Sequence, residues 1–185
     1  MDETIDFWSY SLDAYSRPGV ATACLALQED LGLDVNVLLY CCWHGTTRGL
    51  LNDRDFTTLL EFTNRWSSAL VKPLRSARSW LKDDGCDIDR IPREDCEALR
   101  QRIKEAELAS ERLQQLAMES LSVAPNEDLQ PDSAQGALQN IATYLRTLDA
   151  SVSDESCKNL AAILSVVFPE IDRASIAETL SIGDD

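Results

Sequence analysis

Apolar side chains recur every three to four positions along almost the whole chain, the spacing of one helix face; Val35 to Tyr40 is also rich in β-favouring residues, but with no partner strand elsewhere it reads as helix too. Asp6 is placed to cap a short helix over Phe7 to Tyr15, and Arg17-Pro18-Gly19 breaks it. Pro18 suits the first turn of the next helix, which runs through Ala21, Cys24, Leu25 and Leu27 to Leu31, with Gly32 as a left-handed stop. Asp34 caps a third, Val35 to Trp43, apolar on nearly every side and therefore expected at the centre of the core. Gly45 and Gly49 then bracket a connector.

Asp55 to Leu70 reads as a long amphipathic helix anchored by Phe56, Leu59, Leu60, Phe62, Trp66 and Leu70. Pro73 lacks an N–H and is expected to kink or break it near Val71-Lys72, after which the pattern resumes from Leu74 to Leu81. Asp83-Asp84-Gly85 stops that stretch and Pro92 opens the longest helix, Arg93 to Ser122. Leu99, Ile103, Ala106, Leu113 and Ala117 form its expected buried stripe, extended by Leu116 and Leu121. Arg102, Lys104, Glu105, Glu107, Glu111 and Arg112 occupy the other faces, as on a bundle helix or coiled-coil arm. Two prolines and three acids mark 123–135 as a linker. Helices from Ser133 to Leu148, Asp154 to Phe168 and Ala174 to Leu180 follow. The expected organisation is an all-α multi-helix bundle: a helical core over 1–122, the linker, and a small C-terminal helical lobe over 136–185.

A chain of 185 residues with 44% hydrophobic content can bury a real core, so wholesale disorder is excluded. With 32 acids against 17 bases the net charge is −15, which argues against a nucleic-acid binder or a protein held by anionic lipid. The excess is uneven: residues 1–92 carry 14 acids and 9 bases, a net of −5, and residues 93–185 carry 18 and 8, a net of −10. The N-terminus Met1-Asp2-Glu3-Thr4 is acidic with no apolar stretch behind it, unlike a secretory signal, and no run is long enough to span a membrane. Six cysteines show no C-x-x-C or ligand spacing, so reduced thiols, a cytoplasmic location and no metal or cofactor are expected.

Two segments carry candidate chemistry. In the first, Asn36 lies in an apolar helix, where an unpaired buried amide costs about 1–3 kcal/mol, and His44, the only histidine, sits at a helix C-terminus that favours its protonated form. Either both are satisfied locally, or they line a small-ligand pocket with Arg17, Tyr40 and Arg48. Cys41 shares a helix face with His44, but a nucleophile pair also needs an orienting group and an oxyanion site, and no catalytic residue is assigned. The turn Asp83 to Asp89 places its glycine too early for a calcium loop.

The second segment is basic. Between Glu61 and Asp83 there is no acid, and Lys72, Arg75, Arg78 and Lys82 fall within about 120° of helix circumference. These bases either pair with acids of the −10 half or form a docking strip for an acidic partner.

The block Phe7-Trp-Ser-Tyr-Ser-Leu-Asp-Ala-Tyr-Ser-Arg-Pro-Gly-Val-Ala-Thr-Ala-Cys-Leu-Ala-Leu-Gln28, with Asp34-Val-Asn-Val-Leu-Leu-Tyr-Cys-Cys-Trp43 and Val71 to Lys82, resembles a proteobacterial family of small uncharacterised proteins, catalogued as a domain of unknown function. The resemblance covers residues 5–120. It implies a bacterial cytosolic protein of unassigned activity and supplies no catalytic residues. The functional expectation is a non-enzymatic interaction or adaptor module that binds another protein and could self-associate through its long helix. The alternative is a small-molecule-binding protein or enzyme using the pocket around Asn36, Tyr40 and His44.

Overall fold

A computed structural model of the chain describes residues 5–83, 91–121, 133–148, 152–171 and 176. Among these there are eight α-helices, one π-helical segment and no strand, which makes the protein all-α. In chain order they are α1 (Phe7–Ser16), α2 (Val20–Leu31), α3 (Val35–Thr47), α4 (Asp53–Trp66), the π segment (Ser67–Val71), α5 (Lys72–Asp83), the long α6 (Arg93–Leu121), α7 (Ser133–Arg146) and α8 (Asp154–Val167). None of the described helices is long and apolar enough to cross a membrane. The acidic turn after Asp83, most of the linker and nearly all of the expected final helix lie outside the described residues.

Local chemistry explains the helix ends. Asp6 accepts from the Ser9 N–H at 2.8 Å and Asp34 from the Asn36 N–H at 2.8 Å, so each N-terminus has a carboxylate cap. Gly32 closes α2 at φ 66°, a left-handed conformation that glycine adopts without steric cost. The start of α2 differs from expectation: Gly19, also left-handed at φ 85°, occupies the cap, and the helix begins at Val20 rather than around Pro18.

The chain divides into two compact units, residues 1–56 with 122–185, and residues 57–121. The first contains α1, α2, α3, α7 and α8. As its apolar sequence demands, α3 is the centre: every residue from Val37 to Gly45 is buried. Phe7 meets Tyr40 edge-on at 5.2 Å between ring centroids and Trp43 at 5.5 Å, and the Trp43 indole donates to the Ile5 carbonyl at 2.9 Å. The C-terminal helices complete this unit, α7 packing on α3 and α8 on α2. They belong to the expected C-terminal helical lobe and pack on α2 and α3, so the unit is discontinuous in sequence.

Two polar ties accompany α8. Arg17 donates to the Val166 carbonyl at 2.8 Å, placing a cation at the negative end of the helix dipole, and ion-pairs with Asp13 at 2.7 Å. At the other end the Asp30 carboxylate accepts from the hydroxyls of Ser153 and Ser156.

Contrary to the connector expected at Gly45, α3 continues through that glycine to Thr47. The reason is tertiary. A Cβ at Gly45 would lie 2.3 Å from the Ala137 nitrogen and 2.4 Å from its Cα, and the facing residue on α7 is Gly136. This glycine permits a close crossing of two helices and does not end one.

The second unit is a helical hairpin, with α4, the π segment and α5 running as one continuous path and α6 returning against it. Of the kink or break expected at Pro73, the break does not occur. Instead the preceding turn widens to π spacing, with the Lys72 N–H bonding the Ser67 carbonyl. The added residue in that turn accommodates a ring that would otherwise press on the carbonyl four residues back.

The largest departure from expectation is the face that α6 buries. Leu99, Leu113 and Leu116 are 45%, 55% and 46% exposed and Ala106 is exposed, while Cys96, Glu107, Ser110, Gln114 and Met118 are buried. Ion pairs between α5 and α6 set this rotation about the helix axis.

Candidate functional site

α5 places its cations in two different settings. Arg75 and Arg78 turn toward α6, where Arg75 Nε lies 3.0 Å from Glu107 Oε1, its Nη2 lies 2.8 Å from Glu111, and Arg78 Nε lies 2.5 Å from Glu107 Oε2. This cluster, and the Trp66 indole donating to the Ser110 carbonyl at 3.1 Å, fix the polar face of α6 inward. Burying a carboxylate costs several kcal/mol unless it is paired; Glu107 has two guanidinium partners and is therefore retained. The pairing of these two bases with acids of the C-terminal half is one of the alternatives the sequence left open.

Burial alone would push the Glu107 carboxyl up, yet the hydrogen bonds from Arg78 and Arg75 outweigh it and hold the group below the usual carboxylate range. A depressed folded value means that the stabilisation is present above the unfolded carboxylate value and is lost as pH falls through the folded one. Glu107→Gln should therefore cost about 1.5–3 kcal/mol at neutral pH. The difference from wild type should shrink on acidification below about pH 5, as read by urea unfolding at a series of pH values. A pH-independent difference would show that the charge is not what matters.

Lys72 and Lys82 stand differently: both are exposed, and neither has an ion pair among the described residues. Lys72, Ser76 and Trp80 are spaced four apart, so they share the outward face of α5, and Trp80 is 53% exposed. The charge pattern alone does not single out Trp80. Its signal is nonetheless present in the sequence, a tryptophan at helical spacing from a lysine in an acid-free stretch.

The other five candidate residues are only partly brought together. Tyr40 and His44 are buried side by side, with ring centroids 5.6 Å apart, and the Arg48 guanidinium lies 4.9 Å from the centroid of Trp43. Arg17 is occupied at the end of α8. Asn36 is half-buried in the first turn of α3, two turns before His44.

His44 Nδ1 lies 2.9 Å from the Gly49 carbonyl, and because a carbonyl only accepts, Nδ1 carries the proton. Burial, assisted by the Arg48 cation and opposed by that carbonyl, pulls the imidazole below its ordinary value. The ring is therefore neutral at pH 7, and desolvation overrides the helix-dipole effect that pointed to a protonated ring.

The buried amide with structural consequence is Asn140 on α7. Its Oδ1 accepts from the Leu51 N–H at 2.9 Å and its Nδ2 donates to the Gly49 carbonyl at 3.2 Å, so one side chain satisfies both backbone groups of the α3–α4 loop. The physical argument applied to Asn36 holds better here, since Asn140 is 2% exposed. Tyr144, one turn further along α7, accepts from the Asp34 N–H at 2.7 Å. The thiols near this region are inert: burial pushes Cys24 and Cys42 each up to about 12, and Cys41 well above its ordinary value.

Fold and site together define a small all-α protein of two helical units, one with a densely packed aromatic core and one a hairpin bearing a cationic and aromatic outer face. The chain belongs to the family described as Protein of unknown function (DUF2390), whose model matches residues 6–118. That match takes in α1–α5 and nearly all of α6, and leaves out α7 and α8. No curated protein and no solved structure matches the chain.

Proposed function

We propose that the chain is a non-enzymatic protein-interaction module that docks an acidic partner on the outward face of α5. Lys72 and Trp80 share that face, and Lys82, exposed near the helix end, flanks it on the side of Arg75 and Arg78, about 160° around the axis from Trp80. Arg75 and Arg78 support it from behind through Glu107 and Glu111. The observation that carries this reading is Trp80, a large aromatic side chain 53% exposed in a stretch without acids.

On a protein of net charge −15 most of the surface repels an acidic partner, and this face is where one can approach. An exposed tryptophan on the same helix face as a cation is also the composition of interface hot spots, where truncation costs about 2 kcal/mol or more. The test is affinity capture with wild type, Trp80→Ala and Lys72→Glu/Lys82→Glu, followed by titration of the captured acidic protein. Both variants should unfold like wild type and bind that protein at least about 30-fold more weakly. Equal binding by all three proteins would remove the α5 face from consideration.

A further inference from the structure

Heptad spacing governs the exposed side of α6. Leu99, Ala106 and Leu113 are seven apart, as are Arg102, Ala109 and Leu116, and the two series are offset by three, the a and d positions of a coiled-coil seam. Leu99, Leu113 and Leu116 are each about half exposed, and Ala106 and Ala109 are exposed too. The hairpin consists of two helical paths, so each path covers only one face of the other. α6 directs its polar face, Glu107, Ser110 and Gln114, inward and leaves the leucine seam outside.

We infer that this seam pairs α6 with α6 of a second copy of the chain, antiparallel and about a two-fold axis. The charge pattern selects both occupant and direction. In the antiparallel register Leu99 meets Leu116 of the second copy, and Ala106 meets Ala109, letting the helices approach closely at the centre. Leu113 packs against the aliphatic stem of Arg102, whose guanidinium reaches water. The same register sets Glu105 opposite Arg112 of the second copy, and by symmetry the pair occurs twice. Arg112 has an interaction within its own chain and Glu105 accepts from Gln101 at 3.2 Å; a guanidinium with five donors and a carboxylate with two oxygens can each serve another partner. A parallel pairing would instead bury Arg102 against Arg102. The product is a closed four-helix assembly of two hairpins, with one seam covered and none left to extend it.

Sedimentation equilibrium on the full chain tests this, with circular dichroism to confirm that each variant is folded. Wild type should run at twice its 20.6 kDa mass. Leu113→Glu should run as a monomer, with association weakened on the order of 100-fold. Glu105→Arg should weaken the dimer, and Glu105→Arg/Arg112→Glu should restore it. A monomeric wild type, a dimer indifferent to Leu113→Glu, or a charge swap that fails to rescue would each overturn the pairing. None of these substitutions touches Lys72, Trp80 or Lys82, so this inference and the docking strip on α5 fail independently.

Discussion

Gly45→Ala is expected to destabilise the first unit by about 3 kcal/mol or more, measured by urea or thermal unfolding. Two effects of opposite sign compete. In an open helix the exchange would stabilise by about 1 kcal/mol, because alanine restricts the unfolded backbone and favours helix. Here the new methyl would sit 2.3 Å from the Ala137 nitrogen and 2.4 Å from its Cα, distances that real Cβ atoms do not show, and both atoms belong to backbone. Neither can swing aside as a side-chain tip could, so α7 must retreat from α3 along the main contact of the unit. That retreat also loosens the Asn140 hydrogen bonds to Gly49 and Leu51, and so the loop leading into α4. Gly136→Ala provides the internal comparison. Its Cβ would meet the Gly45 carbonyl oxygen at 3.2 Å, tight but short of an overlap, and the loss should be visibly smaller. A neutral or stabilising Gly45→Ala would show that the helices cross less closely than these distances require.

The same glycine shows what could be read from the chain and what could not. Caps depend on residues two to four apart, and Asp6, Asp34 and Gly32 were legible because their partners are local. The apolar run of α3 announced its own central burial. Gly45 was misleading because a helical glycine and a terminating glycine look alike until the helix that crosses it is known, and Ala137 is far along the chain. Pro73 announced a disturbance correctly, but whether a helix breaks or widens to a π turn depends on what holds its two ends.

On α6 the leucine period was real, but of the expected stripe Leu99, Ala106, Leu113 and Leu116 are exposed while Ile103, Ala117 and Leu121 are half-buried. Periodicity identifies an apolar face without naming what covers it. The inward face was decided by Arg75 and Arg78, 32 and 29 residues before Glu107. The candidate site followed the same rule: the α5 strip was visible as a charge pattern, while its division into two ion-paired arginines and two exposed lysines needed the position of Glu107.

Ending the chain after Leu121 should abolish cooperative folding of α1–α3, although the family match ends at residue 118. The helices removed, α7 and α8, contribute Leu138, Ile141, Leu160, Ile163 and Leu164 to the core, each 1% exposed or less. Burying an aliphatic side chain of this size is worth about 1.5–3 kcal/mol, so the five together account for roughly 10 kcal/mol. That is comparable with the whole stability of an ordinary domain, about 5–15 kcal/mol. The damage is concentrated on α3, whose side carrying Cys41 and Gly45 would lose its cover of α7. Its amides should then exchange hydrogen at rates approaching those of an unfolded chain, where the full chain protects them. Supplying residues 122–185 as a separate peptide should restore that protection. What α7 and α8 provide is side-chain packing and the Asn140 and Tyr144 hydrogen bonds, none of which requires a continuous backbone. A truncated chain that unfolds cooperatively and keeps α3 protected would mean that α1–α3 form a core alone. The discontinuous unit of α1–α3 with α7 and α8 would then be a docking of two bodies, and no longer one fold.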